Sequence, residues 1–109
     1  MIAFTGFSHL DPERPSAGSI SLEDGAKHTV EGLKKLAAIA EPHGIEIHVE
    51  HLNTRVAGDN NRGHPGYQGD RIDYCADIIR AVDSPLVKLL FDVYHVQVMD
   101  GDLIRRIRE

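Results

Sequence analysis

The chain has 109 residues, of which 41% are hydrophobic and 27% charged, a composition that predicts one soluble globular domain with a modest core. Its formal net charge is −5, with 17 acidic residues against 12 lysines and arginines, which argues against binding to nucleic acids or to anionic membranes. A single cysteine, Cys75, excludes an intramolecular disulfide and a cysteine-rich zinc site. We read no targeting signal and no run of roughly 20 apolar residues, so we expect a cytoplasmic protein.

The first part of the chain predicts a strand followed by a helix. Residues 1–6 are an apolar run closed by glycine, and residues 8–21 form a loop rich in Pro, Gly and Ser. Ser21 and Asp24 have nearly the spacing of a capping box, which predicts a helix that begins at Ser21 and ends near Pro42 and Gly44. The apolar positions of this helix recur at helical spacing and are expected to share one face, which contains Val30, Leu33, Leu36, Ala37 and Ala40.

The rest of the chain predicts strand, helix, strand and the beginning of another helix. Residues 45–50 alternate strictly, so Glu46, His48 and Glu50 share the face opposite the apolar one. A long polar loop at 52–69 is followed by an amphipathic helix at 70–82 and a strand at 87–93. After His95 the pattern indicates a turn and a helix capped near Asp100 or Asp102. The inward positions of the second helix are Ile72, Cys75, Ile78, Ile79 and Val82.

The order strand, helix, strand, helix, strand indicates an α/β fold, a βαβαβ unit with a parallel sheet. Such folds place their chemistry at the carboxyl ends of the strands, where Glu50 and Asp92 stand. Because neighbouring strands lie about 4.8 Å apart, the two carboxylates can share one hard cation such as Mg²⁺ or Mn²⁺. His95 and His48 are the histidines that can add an imidazole nearby.

These residues also have plain structural interpretations. Carboxylates at strand ends are often solvated residues that open a loop, and His48 also fits a hydrogen-bonded core histidine. Arg55 and the segment GHPGYQ at 63–68 offer donors and an aromatic lid for an anionic substrate, or else belong to a solvated loop. No GxGxxG, Walker or nucleophile-elbow sequence occurs.

Four segments that together span nearly the whole chain are distinctive: IAFTGF, IHVEHLNTR, GHPGYQ and SPLVKLLFDVYHVQVMDGDLIRRIR. They resemble the hydroxypyruvate isomerase family of the xylose isomerase-like TIM-barrel superfamily. The resemblance implies that residues 1–109 are one partial domain, an incomplete segment of a (β/α)8 barrel. It also implies that Glu50 and Asp92 bind a divalent metal, Mg²⁺ or Mn²⁺, and that His95 contacts the substrate.

The reaction implied by the resemblance is a proton transfer between adjacent carbons. A hydroxy-carbonyl acid, hydroxypyruvate, would be converted to tartronate semialdehyde through an enediolate, with Glu50 as both metal ligand and one of two acid/base carboxylates. Arg55, His64 and Tyr67 would join His95 in binding the substrate.

The chain departs from the family pattern in its length. A complete barrel has eight strands and about 250 residues, whereas this sequence predicts three strands, matching the third to fifth of the family, without the later Gln or His ligand and second catalytic Glu. We therefore expect either the remainder of a barrel or a second copy of the chain as partner. A noncatalytic structural module and a related sugar epimerase remain alternatives, although the GHPGYQ loop argues against the epimerase. An abasic-site endonuclease relative is disfavoured by the negative charge.

Overall fold

A three-stranded parallel sheet organises the part of the chain that the computed structural model describes, residues 1–59 and 62–109. The strands are β1 (Ile2–Ala3), β2 (Ile47–Glu50) and β3 (Val87–Leu90), and they lie in sequence order with β2 in the centre. Ile47 pairs with Val87 and Glu50 with Leu90. The predicted parallel βαβαβ arrangement is confirmed.

Helix α1 (Leu22–Ala40) begins where its capping sequence predicts. The Ser21 Oγ accepts a hydrogen bond from the Asp24 backbone N–H at 3.0 Å and donates one to the Asp24 carboxylate at 2.8 Å, so one short side chain satisfies a free amide of the first turn. A 3₁₀ turn (Glu41–His43) and Gly44 in the left-handed conformation, with φ 60°, end the helix. Leu36 was expected to be on the apolar face, but it lies at the edge of that face and is 40% exposed.

Helix α2 (Ile72–Val82) packs beside α1 on one face of the sheet. Ile47 and Val49 of β2 are fully buried beneath the two helices. The core is one cluster of buried apolar side chains: Leu33, Ala37, Ala40, Ile47, Val49, Ile78, Val82 and Val87. The opposite face of β2, with Glu46, His48 and Glu50, carries no such cover, so the alternation in the sequence separates the core face from the face that meets solvent.

The third strand is shorter than predicted. It ends at Leu90, and helix α3 (Val93–Met99) begins three residues later, with Asp92 as its N-cap. The sequence had predicted a strand to residue 93 and no helix before Asp100, and both predictions were wrong. The Asp92 side chain accepts hydrogen bonds from the first backbone N–H groups of α3, so the helix begins directly after Asp92. A further helix, α4 (Leu103–Arg108), follows Asp102, whose backbone is left-handed with φ 46°.

The loops after β1 and β2 are joined to each other. The Gln68 N–H donates to the Gly6 carbonyl at 3.0 Å, and the Ser8 N–H donates to the Gly66 carbonyl at 2.7 Å. The loop at 52–69 is therefore folded against its neighbour, and its ends are buried at Leu52 and Gln68. Two of its residues, 60 and 61, lie outside the described residues. Among the helices of the described ranges, none has the length and apolar character that a membrane crossing requires.

Gly25 of α1 is expected to tolerate no side chain. A Cβ there would lie 1.7 Å from Oε1 of the buried Gln68, whose amide donates to the carbonyls of Ile20 and Ser21. We expect Gly25→Ala to destabilise the fold by about 1–3 kcal/mol, measured by urea unfolding. Gly32→Ala in the same helix is the control, because nothing lies within 4 Å of its Cβ position and the change should stabilise by up to about 1 kcal/mol. A Gly25→Ala protein as stable as the wild type would contradict the packing.

Cys75 is expected to be chemically silent in the folded protein. Its side chain is fully buried in α2, and burial raises the pKa of the thiol to about 12, so the reactive thiolate is scarce at neutral pH. We expect alkylation at least about 100-fold slower in buffer than in urea. An Ala38→Cys variant with Cys75→Ala, which places the thiol on the exposed side of α1, should react equally fast in both solvents. Fast labelling of Cys75 in buffer would contradict the core assignment.

Candidate metal centre

Glu50, Asp92 and His95 converge at the carboxyl edge of the sheet. One ligand atom from each residue lies within 4.8 Å of the others. The register explains this, because Glu50 ends β2 opposite Leu90 and Asp92 follows Leu90 by two residues. The proximity of Glu50 and Asp92 expected from strand order is therefore present in the structure.

The Asp92 carboxylate has a fixed orientation. Its Oδ1 accepts hydrogen bonds from the backbone N–H groups of Tyr94 at 2.8 Å and His95 at 3.1 Å. Among residues 1–59 and 62–109, both hydrogen bonds to this carboxylate are accepted by Oδ1. Oδ2 therefore remains available to bind a cation. The N-cap that starts α3 thus also presents an oxygen to the site.

Glu50 is held close to His95 without a direct hydrogen bond. Its side chain is 16% exposed, and its Oε1 lies 3.8 Å from His95 Nε2, a separation beyond hydrogen-bond distance. A carboxylate at this distance can receive a cation or a substrate atom.

His48 lies apart from this cluster. Its Nε2 is 2.9 Å from the Glu46 carboxylate, which also pairs with Lys88, and its side chain is 40% exposed. These hydrogen bonds from Lys88 and His48 lower the pKa of Glu46 to about 2. The expectations that His48 serves the metal site or the core were wrong, because the residue shares the face of Glu50 but pairs with Glu46, farther from the strand end.

Asn53 is the site residue that the sequence analysis missed. Its side chain is fully buried, and its Nδ2 lies 2.7 Å from Nδ1 of His95. The available signal was an asparagine three residues after the strand-end Glu50. It was not sufficient, since the contact with His95 joins residues 42 positions apart and depends on how the loop closes.

Three further residues were expected to contact substrate, and the structure places them differently. His64 lies edge-on to His95, with ring centroids 5.5 Å apart, and Tyr67 lies 6.0 Å from His64. Tyr67 is also packed against Phe7 at 4.2 Å. Arg55 is exposed and donates to the Val98 carbonyl at 2.8 Å, which ties the loop to the last turn of α3.

His51 anchors the strand end beneath the site. The residue is fully buried, and its Nε2 lies 3.3 Å from the Asp100 carboxylate, a close contact without hydrogen-bond geometry. Burial lowers the pKa of His51, although the negative charge of Asp100 acts in the opposite direction. Asp100 also accepts the backbone N–H of Ile72 at 3.2 Å. The residue after Glu50 is thus fixed against the start of α2 and the end of α3.

The donor set fits a hard divalent cation. Glu50 and the free Oδ2 of Asp92 supply carboxylate oxygens, the ligands that Mg²⁺ and Mn²⁺ prefer. Two such ligands make only part of a coordination shell, and water or substrate oxygens commonly complete it.

Comparison with known proteins gives a consistent family. Residues 2–109 match the family model described as xylose isomerase-like TIM barrel. The chain is 31% identical over 106 residues to a Danio rerio protein named "putative hydroxypyruvate isomerase", covering 92% of this chain and 35% of the relative. It is 33% identical to an inosose isomerase of Bacillus licheniformis over 74% of this chain and 26% of the relative. For a 2-oxo-tetronate isomerase of Cupriavidus necator the identity is 30%, over 72% of this chain and 28% of the relative.

The chain spans about a third or less of the length of these relatives, and no solved structure is significantly similar to it. The family match nevertheless covers nearly all its residues, and the parallel strands with helices between them are the arrangement that a TIM-barrel segment requires. The chain belongs to the xylose isomerase-like TIM barrel family.

Proposed function

We propose that this chain supplies the Glu50 and Asp92 part of the active site of a metal-assisted isomerase of small hydroxy-carbonyl acids. The observation that carries the proposal is the convergence of Glu50, Asp92 and His95 within 4.8 Å at the carboxyl edge of the sheet. The names of the similar proteins, which include hydroxypyruvate and 2-oxo-tetronate isomerases, support this class of substrate.

Glu50 and Asp92 would hold the cation, Mg²⁺ or Mn²⁺. When bound, such a cation polarises a substrate carbonyl and stabilises negative charge that develops on its oxygen. The capped Asp92 needs no rearrangement to offer Oδ2, because Oδ1 alone makes its hydrogen bonds to α3.

Glu50 would act as the acid/base group of this chain. For hydroxypyruvate, a carboxylate removes a proton from the hydroxymethyl carbon, and a proton is then delivered to the former carbonyl carbon. The hydroxyl proton of the first carbon is transferred to the former carbonyl oxygen, which leaves an aldehyde and a new hydroxyl group. The species between the two transfers at carbon is an enediolate, and the product is tartronate semialdehyde. Glu50 is suited to the first transfer because its Oε1 lies beyond hydrogen-bond reach of His95 and so is not committed to that partner.

The remaining residues would orient the substrate. His95 is 5% exposed and faces the gap beside Glu50, so a polar substrate atom can meet its imidazole without competition from bulk water. His64 and Tyr67 would form the adjoining wall, and Arg55 would bind the anionic end if it exchanges its contact with Val98 for the substrate carboxylate.

The inner face of the sheet would be covered by the remaining strands of a barrel or by a second copy of the chain. Ile2 and Phe4 are 56% and 51% exposed on or next to the edge strand β1, and unpaired edges of parallel strands favour association. The second acid/base carboxylate would come from the remaining strands of a barrel, because a second copy of this chain lacks it as well. We therefore expect residues 1–109 alone to bind metal weakly and not to isomerise.

Metal binding by the 109-residue chain tests the site directly. Titration calorimetry with Mn²⁺ should show one saturable site, weakened at least about tenfold in Glu50→Gln and in Asp92→Asn, because each removes a carboxylate ligand. Asp92→Asn keeps an oxygen to cap α3, so circular dichroism should show a folded protein.

The matched control is Glu46→Gln, which removes a carboxylate from the same strand but from the pair with Lys88 and His48. It should bind Mn²⁺ like the wild type. Equal binding by Glu50→Gln and the wild type, or loss only in Glu46→Gln, would place the metal elsewhere.

Turnover is tested in a protein that joins residues 1–109 to the remaining strands of a barrel. We expect Glu50→Gln to reduce kcat for hydroxypyruvate at least about 100-fold, since an amide cannot accept the carbon-bound proton. Glu46→Gln should leave kcat within about threefold. Retained turnover in Glu50→Gln would remove Glu50 from the mechanism.

A further inference from the structure

We infer that Asn53 is a positioning residue that holds His95 in the Nε2–H tautomer, so that His95 offers a hydrogen-bond donor to the substrate and not a third metal ligand. The inference rests on the proposed function for the identity of the substrate. Its physical basis is the pairing of the Asn53 amide with His95, which concerns this chain alone.

The orientation of the Asn53 amide is determined by two backbone partners. Its Oδ1 accepts the Val56 N–H at 3.1 Å, and its Nδ2 donates to the Arg62 carbonyl at 2.7 Å. A backbone N–H can only donate and a carbonyl can only accept. Exchanging the amide oxygen and nitrogen would therefore break both hydrogen bonds. The two partners thus determine which terminal atom of the Asn53 amide is nitrogen and which is oxygen.

This orientation assigns the proton on His95. One N–H of the Asn53 amide is used by the Arg62 carbonyl, and the second faces Nδ1 of His95 at 2.7 Å. Because the amide nitrogen is a donor only, Nδ1 must accept, and in a neutral imidazole the proton then resides on Nε2.

Burial increases the energetic preference for the Nε2–H tautomer. Asn53 is fully buried and His95 is 5% exposed, so water cannot easily replace either partner. The opposite tautomer would set two donors 2.7 Å apart in a region of low dielectric constant. The Asn53 carbonyl also accepts the His64 N–H at 2.7 Å, which closes the loop on both sides of the residue.

The consequence for the site concerns the nitrogen that faces Glu50. Nε2 lies 3.8 Å from Glu50 Oε1, and with a proton attached it has no lone pair for a cation. It can instead donate to a carbonyl, hydroxyl or enediolate oxygen of a hydroxy-carbonyl acid. Of the three clustered residues, Glu50 and Asp92 then remain as metal ligands, an oxygen set that favours Mg²⁺ or Mn²⁺ over softer ions.

Nitrogen-15 NMR of histidine-labelled protein at about pH 8, where an ordinary imidazole is neutral, measures the tautomer. The His95 signals are assigned by their loss in His95→Gln. We expect a protonated Nε2 and an unprotonated Nδ1, unchanged when Mg²⁺ is added. In Asn53→Asp, a carboxylate accepts where the amide donated, and Nδ1 should gain a proton. His48, paired with Glu46, is the internal control and should not respond to Asn53→Asp.

A proton on Nδ1 in the wild type would overturn the inference, and so would loss of the Nε2 proton on Mg²⁺ addition. An unchanged His95 in a folded Asn53→Asp protein would overturn it as well. If Asn53→Asp does not fold, the wild-type spectrum still decides. The metal-free spectrum does not depend on catalysis, so a chain that fails to bind Mn²⁺ but shows the Nε2–H form would contradict the proposed function and support the tautomer assignment. A chain that binds Mn²⁺ but carries the proton on Nδ1 of His95 would contradict only the tautomer assignment.

Discussion

The double use of the Asp92 carboxylate is the constraint on which the site depends. One oxygen starts α3 by accepting two backbone N–H groups, and the same carboxylate brings a ligand atom within 4.8 Å of Glu50 and His95. Because the cap fixes where the helix begins, it also fixes His95 in the first turn, where its ring reaches the Asn53 amide. Without the cap, the helix would lose its start and the site would lose two of its three members together.

The sheet explains why the site and the core do not compete. Ile47 and Val49 face the helices and are fully buried, while Glu50 points to the other face and ends its strand. A one-residue shift of β2 would bury Glu50 in the apolar cluster, at a cost of several kcal/mol for an unpaired charge. The buried contacts of Ile47 and Val49 thus secure the register that aligns Glu50 with Leu90 and brings Asp92 within reach.

The sequence was sufficient for features that depend on local pattern. Strand order, the Ser21 cap and the proximity of Glu50 and Asp92 follow from alternation, capping spacing and the rule that parallel strands present their carboxyl ends together. Features that depend on competition between local preferences were missed. The β-branched and aromatic run at 87–93 predicts a strand, and only the geometry of Asp92 shows that the strand ends at Leu90 and a helix begins at Val93.

Two other errors had tertiary causes. His48 alternates with Glu50 on the same face of β2, so the sequence alone cannot separate it from the site. In the structure it pairs with Glu46, which also pairs with Lys88 of β3. Asn53 carries no motif of its own, since its role arises only from the contacts that its amide makes with the Arg62 carbonyl and the Val56 N–H. Such loop-dependent contacts leave no periodic trace in a sequence.

The loop, and not the strands, therefore decides what kind of site this edge of the sheet becomes. Strand-end carboxylates offer a cation two oxygens on any similar sheet, and folds of this type host many activities. A histidine with a free Nε2 lone pair in the place of His95 would add a nitrogen ligand and favour softer metals. By donating to Nδ1, Asn53 removes that option and makes the third group a hydrogen-bond donor. The proposed isomerisation would use such a donor, because an enediolate oxygen is stabilised by hydrogen bonds as well as by a metal. One buried amide in the loop thus sets the chemical character of the site.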